Sequence, residues 1–334
     1  MSIPLTNQVN FYSQRLTGDF LRMYNASVEN LSRGRLQTTV PFDYVPSGEN
    51  DPRIREIVDA IVFGCPELFF VDQTFQFTLT GNMATLHFQN KYAGENLDGM
   101  WERLNAEIDR IVQKALAIPK TFDRIHRINR YLCVRVKSSP DTNAQLGDAY
   151  GALILRRARC EGFAKAAKLI FDRLGIPNLI AEGEALNGES RETHAWNILE
   201  YQGAHYHFDF TWNAGTTQYD VPGQAYMFLS DALAHIEHFP KYAYPACVDE
   251  SKTFWARYNG NVRYHSDLSR IKIVPFKNNY FAIARFEKPL DLDEVQSDGL
   301  TWMRDELSAY SYGSQIAYAI NVRLNLLLFY MINS

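Results

Sequence analysis

The stretch from Thr193 to Trp212 constrains the fold of this chain more than any other. Thr193-His194-Ala195-Trp196-Asn197-Ile198-Leu199-Glu200-Tyr201 suits a pleated surface, Gln202-Gly203 supplies a two-residue turn, and Ala204 to Trp212 reads as the returning strand. A tight turn pairs Tyr201 with Ala204, which sets Trp196 opposite Asp209 and His194 opposite Thr211. Side chains alternate along a strand, so His194, Trp196, Asp209 and Thr211 share one face and His194 and Asp209 become diagonal neighbours. A slip of one residue would send them to opposite faces.

An amphipathic helix precedes this ribbon. Phe163, Ala167, Ile170, Phe171 and Leu174 fall on one face, and Gly175 and Pro177 end it. Cys160 therefore stands in the first turn, where unpaired N–H groups and the helix dipole favour negative charge. A cysteine so placed is a candidate thiolate nucleophile, with Arg156, Arg157 and Arg159 adding positive charge nearby. On position alone the commoner fate of a cysteine is that of a small buried apolar residue, which is the reading given to Cys65, Cys133 and Cys247. Likewise, His194 alone reads as a satisfied strand histidine and Asp209 as a charge at a strand end. Taken together the three have a chemical logic. A thiolate needs an imidazole to hold the ion pair and to protonate a leaving amine, and the imidazole needs a carboxylate to fix its tautomer and orientation.

The blocks Tyr150-Gly151-Ala152-Leu153, Cys160-Glu161-Gly162-Phe163-Ala164-Lys165-Ala166, Leu174-Gly175-Ile176-Pro177, His194-Ala195-Trp196-Asn197 and His207-Phe208-Asp209-Phe210-Thr211-Trp212 resemble the transglutaminase-like superfamily. The resemblance is to its bacterial branch, in which a papain-like core sits between extra N- and C-terminal segments. It spans about residues 120–250, including Tyr226-Met227-Phe228-Leu229-Ser230-Asp231 and Tyr244-Pro245-Ala246-Cys247. It implies an α+β fold with a nucleophile helix packed on an antiparallel sheet, Cys160 as nucleophile, His194 as base and acid, and Asp209 as its orienter. The chain departs from the pattern at Asn213, where many relatives carry an acidic residue. Acyl transfer also needs donors for an oxyanion: the Cys160 N–H is one, and Tyr150, Gln145 and the Trp196 indole are candidates for a second, Tyr150 first because it lies in a matching block.

The expected activity is thiol acyl transfer on peptide or side-chain amides through a thioester, with no cofactor. Hydrolysis, as in a cysteine protease, isopeptidase or deamidase, is favoured over transglutaminase cross-linking, since no amine-binding feature or calcium-loop pattern is visible. Two other classes compete. His205-Tyr206-His207-Phe208-Asp209 would place three potential metal ligands on one strand face, as in a metal-dependent hydrolase. A non-catalytic peptide-binding or scaffolding module could keep the same residues, with Phe69, Phe70, Phe75 and Phe77 as a docking stripe, although buried sheet explains that stripe more simply. His235 and His238 read as surface histidines.

Around this core the reading is coarser. Residues 1–92 read as an N-terminal α+β segment: a helical first thirty residues, a loop over Gln37–Asn50, a short helix from Asp51 and a hairpin about Gly81-Asn82. Residues 93–250 form the expected core, opened by an amphipathic helix from Leu97 that Pro119 stops and a second over Asp123–Cys133. Residues 270–334 read as a small βαββ appendage: strands near Tyr280–Arg285, Gln315–Ile320 and Arg323–Met331, and a helix over Asp293–Ser308. Among 334 residues, 34 Lys and Arg against 38 Asp and Glu leave a net charge of −4, which argues against nucleic acid as the partner. Four cysteines without a Cys-x-x-Cys pair exclude a cysteine-built zinc module and make a disulfide framework an unfavoured reading. No signal peptide and no membrane span are visible, so a peptide or protein substrate in the cytoplasm is expected, with export lacking a cleaved signal left open and the oligomeric state undetermined.

Overall fold

The computed structural model describes residues 3–6, 10–48, 51–215, 223–258, 260–262, 271, 273–276, 279–287, 289, 293, 301, 302, 304, 305 and 315–332. Helix α1 (Gly18–Ser32) packs beside strand β1 (Gln37–Pro41) and α2 (Pro52–Val62). Strands β2 (Val71–Thr80) and β3 (Met83–Asn90) form the expected hairpin, and β1 joins it to give the antiparallel order β1-β3-β2. The loop expected from Gln37 is thus a strand as far as Pro41. Thr38 and Val40 turn inward while Gln37, Thr39 and Pro41 face out, an alternation that outweighs the turn-like composition. Asp51 caps α2, accepting from the Arg53 N–H at 2.9 Å, and Pro52 takes the first helical position.

Next come α3 (Leu97–Leu116) and α4 (Thr121–Arg135), then the short parallel pair β4 (Lys137–Ser138) and β5 (Arg157–Ala158). Helix α5 (Cys160–Arg173) follows, and β6 (Asn178–Asn187), β7 (Ser190–Tyr201), β8 (Ala204–Phe208) and β9 (His238–Pro240) make an antiparallel sheet in the order β8-β7-β6-β9. Short helices α6 (Phe210–Gly215) and α7 (Asp231–Ala234) lie between β8 and β9. Apolar side chains from α1, α2, β3, α3, α4, α5 and β8 meet in one buried cluster that includes Tyr24, Ile57, Phe69, Phe88, Ile108, Ile128, Phe163 and Phe208. Phe75 and Phe77 pack against that cluster.

The C-terminal sheet contains β10 (Asn261–Val262), β11 (Val274–Phe276), β12 (Asn279–Phe286), β13 (Gln315–Asn321) and β14 (Leu326–Ile332), with β12-β14-β13 antiparallel. Alternation along β12 divides its two faces. Ala282, Ala284 and Phe286 pack with Leu327 and Phe329, whereas Phe281 and Ile283 turn the other way, onto Tyr226, Leu233 and Trp255 of the core. The helix expected over Asp293–Ser308 lies outside the described residues apart from 293, 301, 302, 304 and 305. No helix among the described residues is long and apolar enough to cross a membrane.

Candidate functional site

Cys160 is the first residue of α5. Arg159 before it is extended and its side chain makes no capping bond, which leaves the first-turn N–H groups directed past the end of the helix. Gly162, two residues on, is dictated by packing. A Cβ there would lie 2.5 Å from the Leu146 carbonyl oxygen and 3.0 Å from that of Asp148, so only glycine lets this loop press on the helix start. The loop is fastened from both sides: the buried Lys165 ammonium donates to the Gly147 carbonyl at 3.1 Å, and Asp148 takes Lys91 at 3.0 Å and the Tyr92 hydroxyl. Burial, with Lys91 close by, pulls Lys165 down to about 8.

Strand β7 brings His194 to this helix. Gln202 and Gly203 both have positive φ, as a two-residue hairpin turn requires, and Tyr201 pairs with Ala204, Leu199 with Tyr206 and Asn197 with Phe208. This is the register expected from the turn. The returning strand stops at Phe208, however, and Phe210 opens α6, so Thr211 is helical and does not share the face of His194. Asp209 is the reason: its Oδ1 accepts from the Trp212 N–H at 3.0 Å and starts the helix. Its Oδ2 accepts from His194 Nε2 at 2.7 Å.

With Nε2 committed to Asp209, the other ring nitrogen is the one left for Cys160, whose sulfur is near enough to favour the charged form of the ring. Asn197, three residues along β7, donates to the Ala164 carbonyl at 3.0 Å and pins strand to helix one turn beyond Cys160. His194 is 8% exposed and Asp209 2%. Burial alone would depress the imidazole; the Asp209 carboxylate and the Cys160 sulfur overcome it and hold His194 up to about 10. Burial alone would raise Asp209, but His194 and His238 hold it well below the usual carboxylate range.

Three sequence candidates have their polar groups engaged or packed away from Cys160. Trp196 Nε1 donates to His207 Nδ1 at 2.9 Å, so its only donor is spent and its ring, near-parallel to that of His194, forms a floor beneath the site. Tyr150 is buried and stacks on Phe69 with centroids 5.6 Å apart, beside Tyr92. Gln145 donates from Nε2 to the Lys91 carbonyl at 3.2 Å. No hydrogen bond among the described residues joins either one to Cys160.

The string His205-Tyr206-His207-Phe208-Asp209 does not converge. His207 groups with Asp231 and His235, Asp209 groups with His194 and His238, and His205 lies by Glu200 at 4.0 Å. Because an indole only donates, His207 Nδ1 must accept, and the proton on Nε2 goes to Asp231 at 2.8 Å. A metal on Nε2 would require the ring to lose that proton while Trp196 occupies its other lone pair, which fits poorly with a metal centre.

Two neighbours escaped the sequence reading. His238 is 2% exposed rather than on the surface: it opens β9, pairs with Ala185 of β6, and directs Nε2 to Asp209 Oδ2 at 2.9 Å. Trp212 covers both imidazoles, its ring 5.5 Å from His194 and 4.5 Å from His238. A three-residue strand carries too little alternation to be seen in sequence. Asn213 is fully buried and bonds Asn129 of α4 and the Tyr226 N–H, so amide chemistry is what its site uses.

Residues 109–210 match the family model described as the transglutaminase-like superfamily. This segment belongs to that superfamily. No curated protein matches the chain. Among solved structures, one described as a TGase is 16% identical with a TM-score of 0.32, over 55% of this chain and 52% of that one. The periplasmic domain of TgpA from Pseudomonas aeruginosa is 15% identical with a TM-score of 0.26, over 39% and 54%. A candidate cysteine protease from Cytophaga hutchinsonii is 12% identical with a TM-score of 0.28, over 54% and 80%. The chain spans about half the length of the first two. The C-terminal sheet meets the transglutaminase-like core beside His238: Asn321 donates to the Tyr226 hydroxyl at 2.5 Å, and Arg323 lies 3.5 Å from Glu237, the neighbour of His238.

Proposed function

We propose that this protein is a thiol acyl-transfer enzyme acting on peptide or side-chain amides, with water as the usual acceptor. One observation carries the reading: His194 Nε2 bonds the buried Asp209 carboxylate at 2.7 Å, and Cys160, at the start of α5, is near enough to act on the same ring. In the proposed reaction the Cys160 thiolate attacks the amide carbonyl carbon while first-turn N–H groups stabilise the oxyanion. The C–N bond breaks as the His194 imidazolium gives its proton to the departing nitrogen, leaving a thioester and a free amine. Neutral His194 then takes a proton from water, whose oxygen adds to the thioester; carboxylic acid leaves and the thiol is restored. An amine in place of water would yield a cross-link by the same steps.

The thiol chemistry is tested without knowing the substrate. Iodoacetamide at neutral pH, with sites mapped by mass spectrometry, should modify Cys160 well ahead of Cys65, Cys133 and Cys247, which are buried. Burial pushes the Cys65 thiol up to about 12, and that of Cys247 upward as well. His194→Ala should slow the modification of Cys160. Equal modification of all four cysteines, or no effect of His194→Ala, would overturn the reading. A peptide library assayed with and without a primary amine, beside Cys160→Ala, then separates hydrolysis from cross-linking by whether the amine is incorporated.

A further inference from the structure

The site holds one imidazole more than the proposed reaction uses. His238 Nε2 lies 2.9 Å from Asp209 Oδ2, the same oxygen that takes His194 Nε2 at 2.7 Å. Its ring is walled by Trp212 at 4.5 Å, Trp196 at 5.0 Å and His194 at 5.5 Å. Its Nδ1 is buried with no partner among the described residues. A carboxylate only accepts, so Nε2 carries the proton, and a second proton on Nδ1 would have no acceptor. His238 therefore presents a fixed N–H dipole to Asp209.

We propose that His238 is a positioning residue for thiol acyl transfer, acting through Asp209: its Nε2–H fixes the rotation of the carboxylate and takes a share of Oδ2 that would otherwise go to His194. The inference rests on the function proposed above. A carboxylate oxygen divided between two donors binds each less strongly than it would bind one. His194 is thereby kept oriented, yet able to release its proton to a leaving amine. The other ionisable groups around the pair are Cys160 on the far side of His194, His207 beyond Trp196, and Glu237, which is engaged by the Tyr226 hydroxyl and Arg323. The close approach of β9 depends on Gly183, opposite His194 in β6, where a Cβ would lie 2.1 Å from the Phe239 carbonyl oxygen.

The test follows Cys160 alkylation by iodoacetamide against pH in the full chain, with imidazole 15N shifts read on the same protein. In His238→Leu the alkaline inflection belonging to His194 should move upward, and turnover of any amide substrate should fall about tenfold with KM little changed. His238→Gln, whose amide can donate to the same oxygen, should return both toward wild type. An unmoved inflection in His238→Leu, with Cys160 still reactive, overturns the role of His238 and leaves the thiol reading intact. A wild-type Cys160 that reacts no faster than in His194→Ala overturns the thiol reading itself. Should His238→Leu fail to fold, the wild-type spectrum still decides: a proton on Nε2 alone supports the inference, and an Nδ1–H tautomer overturns it.

Discussion

Asp209 does three things with two oxygens. It starts α6 through the Trp212 N–H, grips His194 and accepts from His238. Its charge is what holds the imidazolium in place against burial, and the expected pH behaviour has a definite sign. A histidine raised to about 10 contributes stability that is complete below its unfolded value of about 6.5 and is lost as pH climbs toward 10. In Asp209→Asn the carboxylate is gone and desolvation is left to dominate. The alkaline inflection of Cys160 alkylation should fall from near 10 to below neutrality, and the rate at pH 7 should drop at least tenfold; an inflection that stays near 10 would show that Asp209 does not set it. The Trp196–His207–Asp231 chain behind the site makes a contrasting case. Trp196→Phe keeps the aromatic floor but removes the N–H, leaving His207 Nδ1 buried without a donor. A loss of about 1–3 kcal/mol in urea unfolding is expected, while Cys160 alkylation stays within a few-fold of wild type. His207, now held down chiefly by burial, should titrate at higher pH once Nδ1 is free to take a proton, as followed by NMR.

At the scale of elements, what was legible in sequence is what local spacing encodes. Helix α5 with Cys160 in its first turn, the Gln202-Gly203 turn and the pairing of Tyr201 with Ala204 all depend on near neighbours in the chain. The reading failed where a contact came from far away. Phe210, Thr211 and Trp212 have the composition of a strand, and only the Asp209 cap turns them into helix; β9 exists because β6 offers it an edge. Trp196 faces the site as expected, yet its indole was already taken by His207 from the next strand. The register of β6 against β9 makes a direct prediction. Gly183→Ala would put a methyl group where the Phe239 carbonyl oxygen lies, and β9 must move away to accept it. The variant should lose about 1–3 kcal/mol, and its alkylation profile should shift in the same direction as that of His238→Leu, since both separate His238 from Asp209. A Gly183→Ala protein with wild-type stability and profile would show that the edge yields without disturbing the site.

Over the whole molecule, the N-terminal elements are tied to the strand that backs His194. Tyr12 donates to the Ile180 carbonyl at 2.8 Å, and Lys241, just past β9, joins Asp59 of α2 at 2.7 Å to Glu182 of β6 at 3.1 Å. Glu182 is 7% exposed and Asp59 fully buried, with Lys241 the cation between them. Burial first, and then the Asp59 charge, raise Glu182 to about 7, with Lys241 working against both. A carboxyl group raised on folding binds its proton more tightly in the native state than in the unfolded chain. The contribution of Glu182 to stability therefore declines as pH rises from about 4.5 to about 7 and levels off above. Glu182→Gln carries no charge to desolvate, so urea unfolding at pH 5 and pH 8 should differ less in this variant than in wild type. Lys241→Met should act in the opposite sense. It leaves Glu182 without its bonded cation and Asp59 with the Arg55 cation of α2 alone, at 2.9 Å, so it steepens the decline between the two pH values and costs on the order of 2 kcal/mol at pH 8. That figure is reduced from the fully buried case because the Lys241 side chain is 38% exposed. Equal pH slopes in all three proteins would mean that Glu182 does not titrate in this range and that the link between α2 and β6 is held by its hydrogen bonds alone.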